Sequence, residues 1–382
     1  MIKYKRKILE KERLKLEKIK NKIITISGEP ASGKSTVVRE IKNKYEKLGY
    51  NIHIISVGDV FRELVKKEYL KVYPDRKDAS LADIQNDKKF MAKVHSIDGI
   101  VDGEVARKGR EINKKERPND VYIIDSRLAW NNVPDSYAVR LTINDAIAGK
   151  RVFNDKTRGS EDQYKTLDMA IQKTKERKIG EIERYKERYN IDLSDENNYD
   201  LVVDTSYSNT EELADIIIEG EESYRNGKKY PKNWASPTCF YPLQKGRKTG
   251  APSILGNTIE SLAENIKKNG YNNERGKLEI VKREGIKYLL EGNHRTFGAL
   301  SAGKTLLPYE VISEENADNK RVTGVTEYND YKEYVYDYAE GIEYYGGKIG
   351  KIDQLRNFNV QDLLAMNKMK NIQECVNSVE TR

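Results

Sequence analysis

Chemistry-bearing residues are most concentrated between Ile23 and Thr36, in the run Ile23-Ile24-Thr25-Ile26-Ser27-Gly28-Glu29-Pro30-Ala31-Ser32-Gly33-Lys34-Ser35-Thr36. An apolar, strand-like run leads into a loop bounded by Gly28 and Gly33, and the loop leads into a helix start. It fits the pattern G-x-x-x-x-G-K-[ST] in full. Glycines at both ends let the backbone wrap a phosphate at close range, while successive N–H groups and the helix dipole supply positive potential. Lys34 is expected to reach the β- and γ-phosphates of a bound nucleotide, and the Ser35 hydroxyl to ligate Mg²⁺, with Ser32 and Thr36 completing the cradle. The competing reading is a chance glycine turn ahead of a helix.

Such a loop needs a sheet behind it. Strand-like runs follow at Ile52 to Val57, Val121 to Asp125, Tyr137 to Ile143 and Tyr199 to Asp204, each separated by enough chain for a helix. Strands alternating with helices imply a parallel sheet with right-handed crossovers. Asp125 closes one of these strands, where a second carboxylate helps hold Mg²⁺ through water, or where a turn or helix cap would use it. Arg127 follows at the carboxyl end of the same strand, the edge at which ligands bind. Between Glu161 and Tyr189 there is no proline, and Arg177, Glu181, Arg184 and Arg188 recur at helical spacing, so they share one helix face. A surface ladder of ion pairs would look the same.

At 382 residues the chain is long enough for two domains. The first residues are too charged for a signal peptide and no stretch reads as a membrane span, so a cytoplasmic protein without membrane contact is expected. Cys239 and Cys375 are too few for a disulfide framework, and His53, His95 and His294 are too scattered for a zinc site. A net charge of +8 suits an anionic partner, whether a nucleic acid, a nucleotide or a membrane surface. Heavy use of Lys, Asn, Ile, Tyr and Glu is also what an A+T-rich coding sequence produces. Residues 1–21 read as a basic helix with an irregular apolar stripe.

The span from Ile23 to Ile218 resembles cytidylate kinase, most like the archaeal-type members of that nucleoside monophosphate kinase family. The matching elements are the phosphate loop, Gly58-Asp59-Val60-Phe61-Arg62-Glu63-Leu64, Asp125-Ser126-Arg127-Leu128-Ala129-Trp130, Glu183-Arg184-Tyr185 with Tyr189-Asn190-Ile191-Asp192, and Tyr199-Asp200-Leu201-Val202-Val203-Asp204-Thr205-Ser206. The resemblance implies an α/β P-loop kinase with a five-stranded parallel sheet over residues 22–219, using ATP and Mg²⁺. It implies that Arg62 and Arg127 grip the acceptor monophosphate, with Asp59 among the substrate-binding residues. Arg177 and Arg184 would serve the acceptor and the transferring group, and Glu181 would lie near a pyrimidine nucleoside. Arg151 and Arg158 fall in the segment that forms the family's lid, with Arg158 closing over the phosphates. Two features depart from the family pattern: the stretch Lys66 to Arg117 is longer and more polar, and Ala148-Gly149-Lys150 alters the spacing before Arg151.

Residues 220–235 read as a linker, and a second domain is expected over 236–312. Leu289-Leu290-Glu291-Gly292-Asn293-His294-Arg295-Thr296-Phe297-Gly298-Ala299-Leu300, followed by Gly303 and Leu307-Pro308-Tyr309-Glu310-Val311-Ile312, resembles the ParB/sulfiredoxin-like fold, a smaller α+β domain. That resemblance implies a nucleotide or anion site at Gly292, Asn293, His294 and Arg295, where a turn feeds a helix N-terminus and two side chains add donors. Capping and a carboxylate partner are the structural alternatives for His294 and Arg295. Residues 313–382 read as a tyrosine-rich, mostly helical extension.

The expected activity is therefore ATP- and Mg²⁺-dependent phosphoryl transfer to a pyrimidine nucleoside monophosphate. Two rivals remain at this stage: a kinase acting on a modified pyrimidine in DNA, and a nucleotide-gated DNA- or partner-binding protein. The acceptor and the oligomeric state are open.

Overall fold

The computed structural model describes residues 21–313 apart from 77–83, 85–86, 88, 91–96, 113, 134, 156–163, 243–258, 273–276 and 284–285. The basic leader helix, the tyrosine-rich extension and Arg158 thus lie outside the described residues. The chain forms two compact units, residues 1–202 with 214–230, and residues 203–213 with 231–382.

In the first unit the elements run β1 (Lys22–Gly28), α1 (Lys34–Lys47), β2 (Asn51–Ser56), α2 (Val57–Val72), α3 (Ile97–Ile112), β3 (Asp120–Asp125), α4 (Ala129–Asn132), β4 (Tyr137–Thr142), α5 (Asp145–Asn154) and α6 (Leu167–Tyr189). β5 (Leu201–Asp204) and α7 (Thr210–Arg225) are divided by the unit boundaries. β1 pairs in parallel with β3 on one side and β4 on the other, and β2 pairs in parallel with β3. The order is β2-β3-β1-β4-β5.

β1 is buried along its whole length, which requires both of its faces to be covered. Thr25 and Ser27 interrupt its apolar run and are as buried as the isoleucines; Thr25 Oγ1 lies 3.2 Å from Ser136 Oγ. Because β1 has neighbours on both sides, the crossovers leave in opposite directions. A crevice therefore opens at the carboxyl ends of the strands, beside the phosphate loop.

The strand count of five is corrected: among the described residues five further strands follow β5 along the chain. Strands at Leu278 to Val281, Tyr288 to Leu290 and Pro308 to Ile312 are expected from the sequence; the two it does not show are three residues long. Asn233–Ala235, within the expected linker, is strand β6, and Phe240–Pro242 is β7. α7 likewise continues through Gly220, where the linker was expected to start. That glycine is a close-packing position, since a Cβ there would lie 2.7 Å from Tyr137 Cζ.

In the second unit, β8 (Leu278–Arg283) and β9 (Ile286–Glu291) form an antiparallel pair, and β7 runs parallel to β9. β10 (Leu307–Ile312) runs parallel to β8 and antiparallel to β6. Helices α8 (Ile259–Asn269) and α9 (Asn293–Ser301) complete the described part. Its core joins Phe240, Ile266, Ile280, Leu289, Leu300 and Leu307.

Candidate active site

The phosphate loop leaves the buried β1 and must turn sharply into α1. Gly28 has no room for a side chain: a Cβ would sit 2.6 Å from Ser32 Oγ and 3.3 Å from Leu141 Cβ. Ala31 takes a left-handed φ of 62°, a strain on the order of 1 kcal/mol for a residue with a side chain. Gly33 caps α1 at φ 80°, no side chain caps the helix, and no acidic residue occupies its first turn. The Thr36 N–H turns back to the Gly33 carbonyl at 3.0 Å; the N–H groups of Lys34 and Ser35 ahead of it lie at the positive end of the helix, whose potential calls for an anion.

Lys34, the first residue of α1, donates to Asp125 Oδ1 at the end of β3. The register explains the meeting, because Asp125 lies opposite Ile26, two residues before Gly28. Burial, and then the neighbouring Arg127 guanidinium, pull the Lys34 ammonium down to about 7, against the upward pull of Glu181. Ser35 and Thr36 are exposed on the first turn of α1.

This arrangement fits a nucleoside triphosphate with magnesium. The uncapped helix start and the tight glycine turn suit the phosphates, while Ser35 and Asp125 would supply hard oxygen ligands to the metal. Among the described residues no group of three or more His, Cys, Asp or Glu could hold a metal alone. Magnesium taking one or two protein oxygens, with phosphate and water completing its shell, needs no such cage.

Arg127 links three elements. Its NH1 donates to the Gly28 carbonyl of the phosphate loop, while Nε and NH2 grip Glu181 Oε2 of α6 at 2.9 and 2.8 Å. Both partners are largely withdrawn from water, with side chains 19% and 15% exposed. Arg177 reaches Glu181 Oε1 at 3.4 Å from one helical turn away. The Thr166 hydroxyl caps α6 by accepting from the Met169 N–H, and the helix ends at Asn190 in the left-handed region. Its long exposed run therefore presents Arg177 and Glu181 towards β3 while burying only Ala170 and Thr174.

The structure thus brings together Lys34, Asp125, Arg127, Arg177 and Glu181. It does not bring Arg184 into this set: Arg184 is exposed, with its guanidinium 5.6 Å from the Tyr185 ring centroid. Asp59 and Arg62 belong to the first turns of α2, directly after β2. Three residues went unnoticed in the sequence: Glu29, Arg140 and Lys178, which form a charged set behind the loop. The signal available was a carboxylate at position 29 inside a loop that binds anions.

In the second unit, Gly292 turns β9 into α9 at φ 101°, with no side-chain cap on that helix. Asn293 and His294 open α9, and Arg295 NH2 donates to the Lys277 carbonyl at 3.2 Å. Sequence reading also missed a buried pair in this unit. Asp204 accepts from Lys287 Nζ at 2.6 Å, from Ser206 Oγ at 2.6 Å and from the Ser206 N–H at 3.1 Å.

Over 197 residues the chain is 30% identical to the cytidylate kinase of Methanocella arvoryzae, covering 52% of this chain and 95% of that protein. The cytidylate kinase of Methanocaldococcus jannaschii is 32% identical over 197 residues, covering 51% and 94% respectively. The chain belongs to the cytidylate kinase family. A family model described as an AAA domain matches residues 27–166. An S-adenosylmethionine-dependent nucleotide dehydratase of Lacinutrix mariniflava is 27% identical over 209 residues; the match covers 54% of this chain and only 37% of that protein's length. The kinase is thus a P-loop phosphotransferase of the nucleoside monophosphate kinase type, and P-loop kinases of this kind use ATP with Mg²⁺. Among the described residues no helix is long and apolar enough to cross a membrane.

Proposed function

We propose that the first unit transfers the γ-phosphoryl group of ATP to a pyrimidine nucleoside monophosphate, with CMP the foremost acceptor. The observation that carries this reading is Arg127, one side chain joining the Gly28 carbonyl of the donor loop to Glu181 on α6. Donor phosphates on the loop and an acceptor beside Glu181 would lie on either side of it.

In this reading the N–H groups at the start of α1 and Lys34 bind the β- and γ-phosphates, and Ser35 and Asp125 would hold magnesium, which would screen the phosphate charge. An oxygen of the acceptor monophosphate attacks the γ-phosphorus in line. The bond to the β–γ bridging oxygen breaks, and ADP leaves with the electron pair. No protein nucleophile is needed; positioning and positive charge suffice. Arg127 and Arg177 exchange Glu181 for acceptor phosphate, and the freed Glu181 accepts from the exocyclic amine of cytosine. Arg62, Arg158 and Arg184 retain their family-based roles in this proposal, as does Asp59.

The similarity to cytidylate kinases supports this reading over the two rivals. The experiment is transfer from labelled ATP to a panel of ribo- and deoxyribonucleoside monophosphates. CMP or dCMP labelled ahead of purine monophosphates supports the proposal; labelling of purines alone refutes it.

For the second unit we keep the ParB/sulfiredoxin-like reading, supported by the β8–β9 hairpin, the turn at Gly292 and β10 parallel to β8. Titration of ATP and CTP against wild type and Arg295→Ala, each in a Lys34→Ala background to silence the first site, tests it. Binding lost with Arg295 supports the reading; binding unchanged by that substitution refutes an anion site there.

A further inference from the structure

A carboxylate is the wrong sign for a phosphate-binding loop, and Glu29 places one in its second position. Unneutralised, it would repel the ligand that the loop gathers donors for. It is not left unneutralised. Oε1 of Glu29 lies 3.2 Å from NH2 of Arg140 on β4, and Oε2 accepts the Ile143 N–H at 3.1 Å and lies 3.6 Å from Lys178 Nζ on α6. Glu29 and Arg140 are 12% and 4% exposed, so the pair is withdrawn from solvent.

Lys178 has a second carboxylate. Its Nζ lies 2.5 Å from Asp145 Oδ1, on the first turn of α5. Burial works against its charge, yet Glu29 and Asp145 outweigh burial and raise its pKa. α5 reaches the loop again through Arg151, whose NH1 donates to the Ala31 carbonyl at 3.2 Å. α5 and α6 are themselves in backbone contact, because a Cβ on Gly149 would lie 2.5 Å from Ile171 Cα and 2.7 Å from its nitrogen. Gly149, in the stretch Ala148-Gly149-Lys150, is where the two helices close up. The loop is consequently held at residue 29 from β4 and α6 and at residue 31 from α5.

We propose that Glu29 and Lys178 are positioning residues for the donor nucleotide: Lys178 clasps the Glu29 carboxylate of the phosphate loop to Asp145 of α5, fixing the loop in its phosphate-binding shape. The clasp acts through the loop and not on substrate. It sets donor affinity, leaving the acceptor side and the chemical step largely alone, and rests on the phosphate-loop assignment under Proposed function.

The test uses the full chain and adenylyl imidodiphosphate with magnesium as probe, measured by calorimetry, beside steady-state kinetics with ATP and the acceptor identified by the panel. For Lys178→Met the expected result is a roughly tenfold rise in the probe Kd and in KM for ATP, with kcat and acceptor KM within about twofold. Lys178→Arg, which keeps the charge, should restore affinity to within about threefold. Glu29→Gln should weaken donor binding to a similar extent, and the Glu29→Gln/Lys178→Met double variant should be no worse than the weaker single variant, because the two act as a unit. Donor affinity unchanged in a folded Lys178→Met, or additive losses in the double variant, would overturn the clasp. So would a fall in thermal stability with the kinetic constants unmoved, since that marks a purely structural role. A wild type that binds the probe but transfers to no tested acceptor would refute the acceptor reading and leave the clasp standing.

Discussion

Two lysine–carboxylate pairs, one in each unit, are built from the same chemistry and held in opposite ways. Lys34 meets Asp125 beside the phosphate loop, with side chains 22% and 14% exposed, and burial with Arg127 lowers its pKa to about 7. Lys287 meets Asp204 in the second unit, where burial is stronger still, yet Asp204 leads the influences that raise the lysine's pKa. Asp204 also holds two bonds from Ser206, and despite its burial Lys287 lowers its pKa. The difference lies in what surrounds each lysine. The first shares its space with a second cation and an uncapped helix start, so it has room for a polyanion; the second is satisfied and sealed. A buried lysine–carboxylate pair does not by itself mark a binding site; the second cation and the uncapped helix start beside Lys34 set the first pair apart.

The largest effect expected from breaking this contrast is on activity. Lys34→Ala should lower phosphoryl transfer by about 10³-fold or more, because phosphate charge loses its main side-chain partner. Lys287→Met should act on stability instead. It strands the Asp204 carboxylate and costs about 3–5 kcal/mol in urea unfolding of the second unit, with kcat of the first unit preserved. Replacing both partners, as Asp204→Asn with Lys287→Met, should recover a good part of that loss.

A smaller effect sharpens the comparison through pH. Lys34 starts near 7 in the free protein, and bound phosphates favour its charged form. Between pH 7 and 9 ATP binding should therefore take up a proton and weaken as pH rises, by at most about tenfold per pH unit. Calorimetry in buffers of different ionisation enthalpy measures the uptake. Lys34→Arg, charged throughout, should abolish it, and uptake that persists in this variant would assign the proton elsewhere. Lys287 predicts the opposite window: its pKa is raised above 10.5, so its stabilisation holds below that value and fades only in stronger alkali.

The smallest expected effect is at the α5–α6 contact. Gly149→Ala drives a methyl into the Ile171 backbone, and should cost about 1–3 kcal/mol and raise KM for ATP by a few-fold. A neutral outcome in thermal unfolding and kinetics would show that the helices separate freely.

The sequence made the phosphate loop legible because its function depends on residue types at fixed local spacing. Asp125, Arg127 and Glu181 were legible for a related reason: each ends a strand or sits on a helix face whose period can be counted. Glu29, Arg140 and Lys178 were not, because their meeting depends on tertiary register between a loop, β4 and α6, and each alone resembles a solvated charge. Gly149 looked like an irregular spacing until the backbone of Ile171 was seen against it. In the second half, β6 and β7 were too short for a period to show, and Asn233–Ala235 sits in polar sequence. The expected start of the linker at Gly220 fell inside α7, where that glycine packs against Tyr137.

The central claim is that the Gly28–Thr36 loop delivers the γ-phosphoryl group of ATP to a pyrimidine monophosphate. The most direct measurement is the appearance of label in CDP when the full chain is incubated with γ-labelled ATP, magnesium and CMP, beside the Lys34→Ala variant. The account predicts labelled CDP with wild type and essentially none with the variant. Equal labelling by both proteins, or ADP and free phosphate formed with no label in any pyrimidine diphosphate, would contradict it.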